Sequence, residues 1–539
     1  MFQKFISMLK FEFGGYNTAK LGKDVMAGLT VTAVALPLAL AFGVSSGADA
    51  AAGLVTAILA GLLIGALSGA SFQISGPTGA MSAILIGIVA KYGPESIFTV
   101  SFLAGIIILL VGLLKLGKLV NMIPRPVITG FTSGIAIIIA LGQIDNFFGT
   151  VSNGENVLEK MKSYGALGFV PNWSAVLIGL VVIAVMLVWP KKWNARVPSS
   201  LVAIIVAAIV SISLGLDIKT VGEIPKSIFL NNRLKFSSLE WNEIKKFISP
   251  AISIAALGMI ESLLCGAAGS RMKKEPFDAD QELLSQGIGN VIIPFFGGVP
   301  ATAAIARSSV AIKSGAQTRL CGIFHAVGLL VSMFLLGPVM AQLPLSALAG
   351  VLIVTSFRMH EWKDIKYMFV KKFKTAIFKF SITMIATVVF DLTIAILIGI
   401  AVSALLFLWQ AAKLEVNFSR VKNEKFIDHR NVEKNHPRTT VVYVTGPVFF
   451  ANAGTLVKKM EEIDPNCNEL IFSLRGVPVM DISGVETICE LCEEWKQKGT
   501  RIKICGTNNR VRTALERAEI EKRTSQGLFF WSVDKALIE

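Results

Sequence analysis

Two ionisable residues, Arg307 and Glu261, stand in stretches otherwise made of apolar side chains, where a charge is costly unless something answers it. Arg307 lies within residues 297–313, GGVPATAAIARSSVAIK. At membrane depth an arginine costs roughly 2.5–3.5 kcal/mol on insertion scales unless it faces a cavity or a partner. Gly297, Gly298, Val299 and Pro300 cannot continue a helix, which predicts a new helix from about Ala301, with Arg307 about two turns on. The free N–H groups and dipole at such a helix start attract anions, and Arg307 adds a permanent positive charge. This arrangement reads as the anion-binding half of a transporter. The alternative is an arginine that snorkels to the interface beside Lys313. Glu261, in GMIESLLC, has three roles open to it: an ion pair with Arg307, a cation site for an ion such as Na⁺, or a proton carrier. Phe42 follows Pro37, which is expected to break the hydrogen-bond ladder of its helix; the ring either covers the site or simply packs.

The elements that must hold these residues are long apolar runs. The chain has 539 residues, of which 53% are hydrophobic and 17% charged, which excludes an ordinary soluble enzyme and indicates a polytopic α-helical membrane protein. Apolar spans fall near 27–46, 50–69, 77–90, 97–114, 127–143, 174–189, 199–215, 248–268, 283–296, 301–312, 320–340, 344–357, 376–390 and 393–410, fourteen in all. The net charge of +15 does not suggest nucleic acid, because the cations sit in short loops: Lys115, Lys118 and Arg125; Lys191, Lys192 and Arg196; Arg271, Lys273 and Lys274; Lys313 and Arg319; and the lysines of 363–374. Each cluster follows an even-numbered span, whereas loops after odd-numbered spans hold little beyond Asp49, Lys91 with Glu95, and Asp391. The positive-inside rule then puts both termini in the cytoplasm of a multi-pass protein of the inner or plasma membrane. No cleavable signal peptide is expected, since residues 1–24 are polar and lead into a full-length span.

Spans three and ten are short and interrupted. SFQISGPT precedes the third and PFFGGVP the tenth, and the tenth comes seven spans after the third, so they run in opposite directions. That pattern reads as two seven-span repeats of inverted topology, with paired half-helices whose N-termini face one anion from opposite sides. Irregular backbone there is tolerable because it lines a cavity.

Beyond about position 412 the composition changes. Residues 413–437 read as a linker, and 438–539 as a soluble domain with strands at 440–444, 469–474 and 501–505 and helices at 452–463, 484–497 and 509–518. This alternation indicates a small α/β domain. It has no glycine-rich phosphate loop and no catalytic cluster, so a binding or regulatory module fits better than an enzyme. Cys489 and Cys492 form a CxxC within a predicted helix; with no second cysteine or histidine pair nearby they read as reduced, structural thiols rather than a metal site.

ALPLALAFG in span one, FQISGPTGA before span three, IESLL in span eight and QGIGNVIIPFFGGVPATAAIARS into span ten together resemble the SulP family of anion transporters over nearly the whole chain. The tail, through VPVMDISGVETI, resembles the STAS domain found at the cytoplasmic end of these proteins. The resemblance implies homodimers, a core unit of spans 1–4 and 8–11 moving against a gate or scaffold of spans 5–7 and 12–14, and no cofactor beyond H⁺ or Na⁺ as coupling ion. It maps the anion site onto Phe42, Ser75, Thr78, Ala303, Ala304, Ile305 and Arg307, and the coupling position onto Glu261. Sulfate, bicarbonate and dicarboxylates such as fumarate are all substrates within the family.

Three departures matter. Na⁺-using bicarbonate members carry Asp and, one turn on, Thr where this chain has Glu261 and Cys265, which shifts the expectation toward H⁺. Leu38 stands where many sulfate transporters have Gln. Ile482 follows Asp481 where related anti-sigma antagonists carry a phosphorylated Ser, so phosphorylation control is not assumed, and the domain's role is left between dimer support and binding a cytoplasmic ligand or protein. Three other readings stand beside coupled anion transport: a nucleobase permease of the same fold, which would carry an acidic residue at the start of span ten that residues 297–313 lack, a passive anion channel, and a membrane-tethered sensor.

Overall fold

Backbone in hydrocarbon must satisfy its own hydrogen bonds, and in the computed structural model a helix lies over each of the fourteen apolar stretches. The structure describes residues 2–117, 124–154, 157–190, 193, 197–235, 241–390, 392–421, 438–524 and 528–538. The loop cations Lys118, Lys191, Lys192 and Arg196, the loop residue Asp391, and all of the expected linker after residue 421 lie outside them. By length and composition, six of the described helices could each cross a membrane. The chain divides into two compact units, Met1–Ala401 and Val402–Glu539.

An N-terminal helix, α1 (Phe2–Glu12), precedes α2 (Thr18–Ser45), whose start is capped by the Asn17 side chain accepting from Lys20 N. Pro37 sits inside α2 without ending it. The proline has no N–H to give, so the ladder lacks one hydrogen bond there, while the helix runs on through its buried neighbours Leu36, Leu38, Ala39 and Leu40. Next come α3 (Ala50–Leu59), which continues through one π-turn to Leu67, the two-residue strand β1 (Ser75–Gly76), α4 (Gly79–Tyr92) and α5 (Ser96–Leu113). The series continues with α6 (Arg125–Gly142), α7 (Trp173–Val188), α8 (Ser199–Ser213), α9 (Trp241–Lys273) and α10 (Ala279–Ile292). It closes with strand β2 (Thr302–Ala303), α11 (Ile305–Lys313), α12 (Leu320–Ala341), α13 (Leu345–Met359), α14 (Lys374–Val389) and α15 (Leu392–Ala411).

The helix expected from Ala301 begins only at Ile305. Residues 302 and 303 are drawn into an antiparallel pair with β1, Ser75 opposite Ala303 and Gly76 opposite Thr302. Those tertiary hydrogen bonds outcompete a first helical turn. The later start places Arg307 in the opening turn of α11 rather than two turns in. At 1.5 Å per residue α4 is about 21 Å long and α11 about 14 Å, both short of a hydrocarbon layer of about 30 Å.

Close packing in this unit relies on small residues. Gly53 of α3 meets α2 so tightly that a Cβ there would lie 2.0 Å from the Ala39 carbonyl oxygen and 2.8 Å from Gly43. The loop that follows α11 is tied down by charge. Asp24, fully buried, accepts from Gln317 N, Thr318 N, the Thr318 hydroxyl and Tyr16. Arg319 pairs with Glu12 of α1 at 2.7 Å, both side chains almost fully buried.

The second unit is an α/β sandwich. Its sheet runs β3 (Glu415–Arg420), β4 (Thr439–Thr445), β5 (Glu469–Gly476), β6 (Arg501–Cys505), β7 (Phe529–Phe530), parallel except for β3. Residues 415–420, expected in the linker, are thus the edge strand; EVNFSR alternates too weakly and is too polar to stand out from a linker until β4 provides its ladder. Val442, Val444, Leu470, Phe472 and Ile504 face helices α16 (Ala453–Met460), α17 (Ile482–Gln497) and α18 (Asn509–Arg517). Val441, Ile471 and Cys505 on the other face pack against α19 (Val533–Ile538). Burial on both faces explains why β4 and β5 read as nearly unbroken apolar runs. Cys489 and Cys492 are both fully buried in α17, and that burial pushes both thiols up from the ordinary cysteine value, the condition of inert structural cysteines.

The glycine contact gives a stability prediction. Gly53→Ala should lower the thermal midpoint of the purified protein, by the equivalent of about 1–3 kcal/mol for an overpacked site. Gly65→Ala, whose Cβ would meet nothing nearer than the Ala60 carbonyl at 3.9 Å, should be neutral or mildly stabilising. Thermal unfolding followed by size-exclusion monodispersity checks the pair, and equal midpoints would contradict the packing argument.

Candidate functional site

The two short strands make a bridge from which α4 and α11 start. On one side, Thr78 caps α4, its hydroxyl accepting from Met81 N at 3.4 Å. The same hydroxyl donates to Glu261 Oε2 at 2.9 Å, so α9 reaches the start of α4 through a single hydrogen bond. On the other side, Ala304 precedes α11, and its methyl group cannot cap the helix. Its first N–H groups are left without a side-chain acceptor, the usual condition of an anion-binding helix start.

Arg307 occupies the third position of α11, is 1% exposed, and is the largest fully buried side chain among the described residues. Among the described residues no group accepts a hydrogen bond from its Nε, Nη1 or Nη2. Its guanidinium lies against β1: a Cβ on Gly76 would come within 2.7 Å of Nη1. Only glycine leaves that room. A buried cation at the positive end of a helix is doubly unfavourable, from desolvation and from the dipole, unless a negative group sits before it. Glu261 is within its electrostatic reach, yet no ion pair of 4.0 Å or less joins them among the described residues; the carboxylate is taken by Thr78 instead. The direct pair, one of the three roles open to Glu261 from sequence, is not formed.

The other sequence-derived positions divide. Ser75 and Ala303 face each other across the bridge, both buried. Phe42 is buried with its ring on the start of α4, since a Cβ on Gly79 would meet Phe42 Cε1 at 3.1 Å. Ala304 and Ile305 bring no polar side chain, and the Ile305 side chain is 46% exposed. Cys265 donates to Ser308 Oγ at 3.3 Å. Among the described residues no group of three His, Cys, Asp or Glu side chains is arranged to hold a metal ion.

Several residues that hold the bridge escaped sequence reasoning. Ser262, next to Glu261, accepts from Ala303 N at 3.2 Å and shares a hydrogen with Thr302 at 2.8 Å. Asn290 clamps Ala301 through both its N–H and its C=O, at 2.7 and 2.9 Å. Thr56 does the same for Val299, and Ser308 accepts from Ile74 N at 3.0 Å. Gln286, one turn before Asn290 on α10, donates to Ser75 Oγ at 2.8 Å. The i, i+4 spacing of these two amides on an apolar helix was the available signal. His325 of α12 is also buried, with Nδ1 3.4 Å from Thr32 Oγ1 and no protein partner for Nε2.

The comparisons with known proteins agree with this geometry. Residues 21–386 match the model of the sulfate permease family, and residues 431–536 match that of the STAS domain. The chain is 32% identical to a putative sulfate transporter, YvdB, of Bacillus subtilis, over 96% of this chain and 97% of the relative. The transmembrane domain of a cyanobacterial bicarbonate transporter, BicA, superposes with a TM-score of 0.65 at 30% identity, covering 71% of this chain and 98% of that one. Murine Slc26a9, an anion transporter, superposes with a TM-score of 0.84 over 97% of this chain and 92% of its own, and at 18% identity it speaks to the fold alone. These relatives are transporters, not enzymes. The chain belongs to the sulfate permease family, a polytopic helical membrane protein with a C-terminal STAS domain.

Proposed function

We propose that the protein is a secondary transporter of a small inorganic or carboxylate anion, with sulfate, bicarbonate and fumarate as the first candidates. The observation that carries this reading is Arg307: a fully buried guanidinium with no acceptor among the described residues, in the first turn of a helix whose start has no side-chain cap. A tetrahedral or planar oxyanion supplies the acceptors this group lacks. The start of α4, with the Thr78 and Ser75 hydroxyls, faces the same point from the opposite strand. The sulfate and bicarbonate transporters among the relatives support the choice of substrates.

In this reading the fourteen helices are spans of a 7+7 inverted repeat, α4 and α11 are its half-helices, and the termini are cytoplasmic. The site travels with a core of spans 1–4 and 8–11, which slides or rocks against spans 5–7 and 12–14 in a homodimer. The STAS domain supports the dimer or binds a cytoplasmic partner. Coupling runs through Glu261. Its only hydrogen bond among the described side chains goes to Thr78, the cap of α4, so a change in its charge or ion occupancy is felt at the helix start that faces the anion. This favours a proton or cation role over direct anion binding.

Uptake of labelled sulfate, bicarbonate and fumarate into proteoliposomes, with and without an inward pH gradient or Na⁺, tests the function. Saturable uptake of one anion, stimulated by one gradient, is expected; saturable uptake of uracil or xanthine instead, or conductance without coupling, would overturn coupled anion transport. Arg307→Ala should weaken equilibrium anion binding by at least about tenfold, as expected for loss of a charge-assisted bond. Glu261→Gln should cut gradient-driven uptake by a similar factor while binding changes by less than about threefold. Equal losses of binding in the two variants would remove the division of roles.

A further inference from the structure

Ser75 enters the site through a hydrogen-bond chain whose polarity is fixed from far below. Gln286 Nε2 lies 2.8 Å from Ser75 Oγ and 2.8 Å from Glu282 Oε1. All three side chains are almost fully buried. Glu282 Oε2 in turn accepts from the Ser68 hydroxyl at 2.6 Å and from Gly69 N at 3.0 Å. The Ser68 and Ala66 carbonyls accept from Arg319, which pairs with Glu12.

An amide side chain has two faces, and its neighbours decide which points where. With Nε2 placed between Glu282 and Ser75 both acceptors are served, and Gln286 Oε1 is left with no protein partner. The flipped amide would set its oxygen against the Glu282 carboxylate and strand both N–H donors. Glu282 as a carboxylate only accepts, so it forbids the flip. Ser75 must then accept from Gln286, which leaves its own O–H free to donate elsewhere. We propose that Gln286, oriented by Glu282, is a positioning residue that holds the Ser75 hydroxyl as a donor to the transported anion. Neither residue touches the anion. The inference rests on the reading of Ser75 as an anion ligand.

The test measures uptake kinetics of the full-length protein in proteoliposomes, using whichever of sulfate, bicarbonate and fumarate the wild type takes up. Ser75→Ala, Gln286→Met and Glu282→Gln are expected to raise KM, by about tenfold for Ser75→Ala, with Vmax changed by less than about threefold. Adding Gln286→Met or Glu282→Gln to Ser75→Ala should raise KM no further, since each acts through that hydroxyl. Thermal midpoints of all variants establish folding, and Gln286→Met, which removes no charge, carries the test if Glu282→Gln does not fold. Multiplicative KM effects in the double variants, or single Gln286 and Glu282 variants with unchanged KM, would overturn the positioning role while leaving the anion site standing. A Ser75→Ala variant with unchanged KM would overturn the anion-ligand reading itself, and the positioning role with it.

Discussion

A guanidinium taken out of water and placed at the positive end of a helix, with no protein acceptor for its N–H groups, is the constraint on which the membrane unit depends. Arg307 answers to no carboxylate at contact distance, and leaving such a charge unanswered costs several kcal/mol. Gly76 gives it the room it needs, and the first turn of α11 holds its backbone. In the function proposed here, the transported anion supplies the acceptors this guanidinium lacks.

Rigidity at this point comes from side chains acting on backbone. Two-residue strands have almost no stability of their own, so β1 and β2 persist because Ser262, Asn290, Thr56 and Ser308, on four helices, occupy backbone N–H and C=O groups of Ala303 and of the flanking residues Ala301, Val299 and Ile74. Each contact is a short polar residue inside an apolar helix, affordable only because it is fully partnered. The irregular backbone around the bridge thus finds partners on neighbouring helices.

Much of this was legible in the sequence, and the failures share a cause. Arg307, Glu261 and the glycine- and proline-rich breaks before spans three and ten stood out because charge and helix breakers are rare in apolar runs. Periodicity marked where the helices lie. It placed the start of α11 at Ala301 because nothing local reveals that Thr302 and Ala303 pair with residues more than two hundred positions away. It missed β3 for the same reason, since an edge strand takes its identity from its neighbour. Ser262, Gln286 and Asn290 were overlooked because a lone polar residue in a span has many bland explanations, and only coordinates show that all three converge on one bridge.

The most direct measurement is a structure of the full chain determined at saturating concentration of the anion it takes up. Anion density within hydrogen-bonding distance of the Arg307 guanidinium, between the starts of α4 and α11, is the expected result. An Arg307 paired with Glu261, with anion density elsewhere or none between those two helix starts, would contradict the central claim that this cation and the two facing helix starts form the transport site.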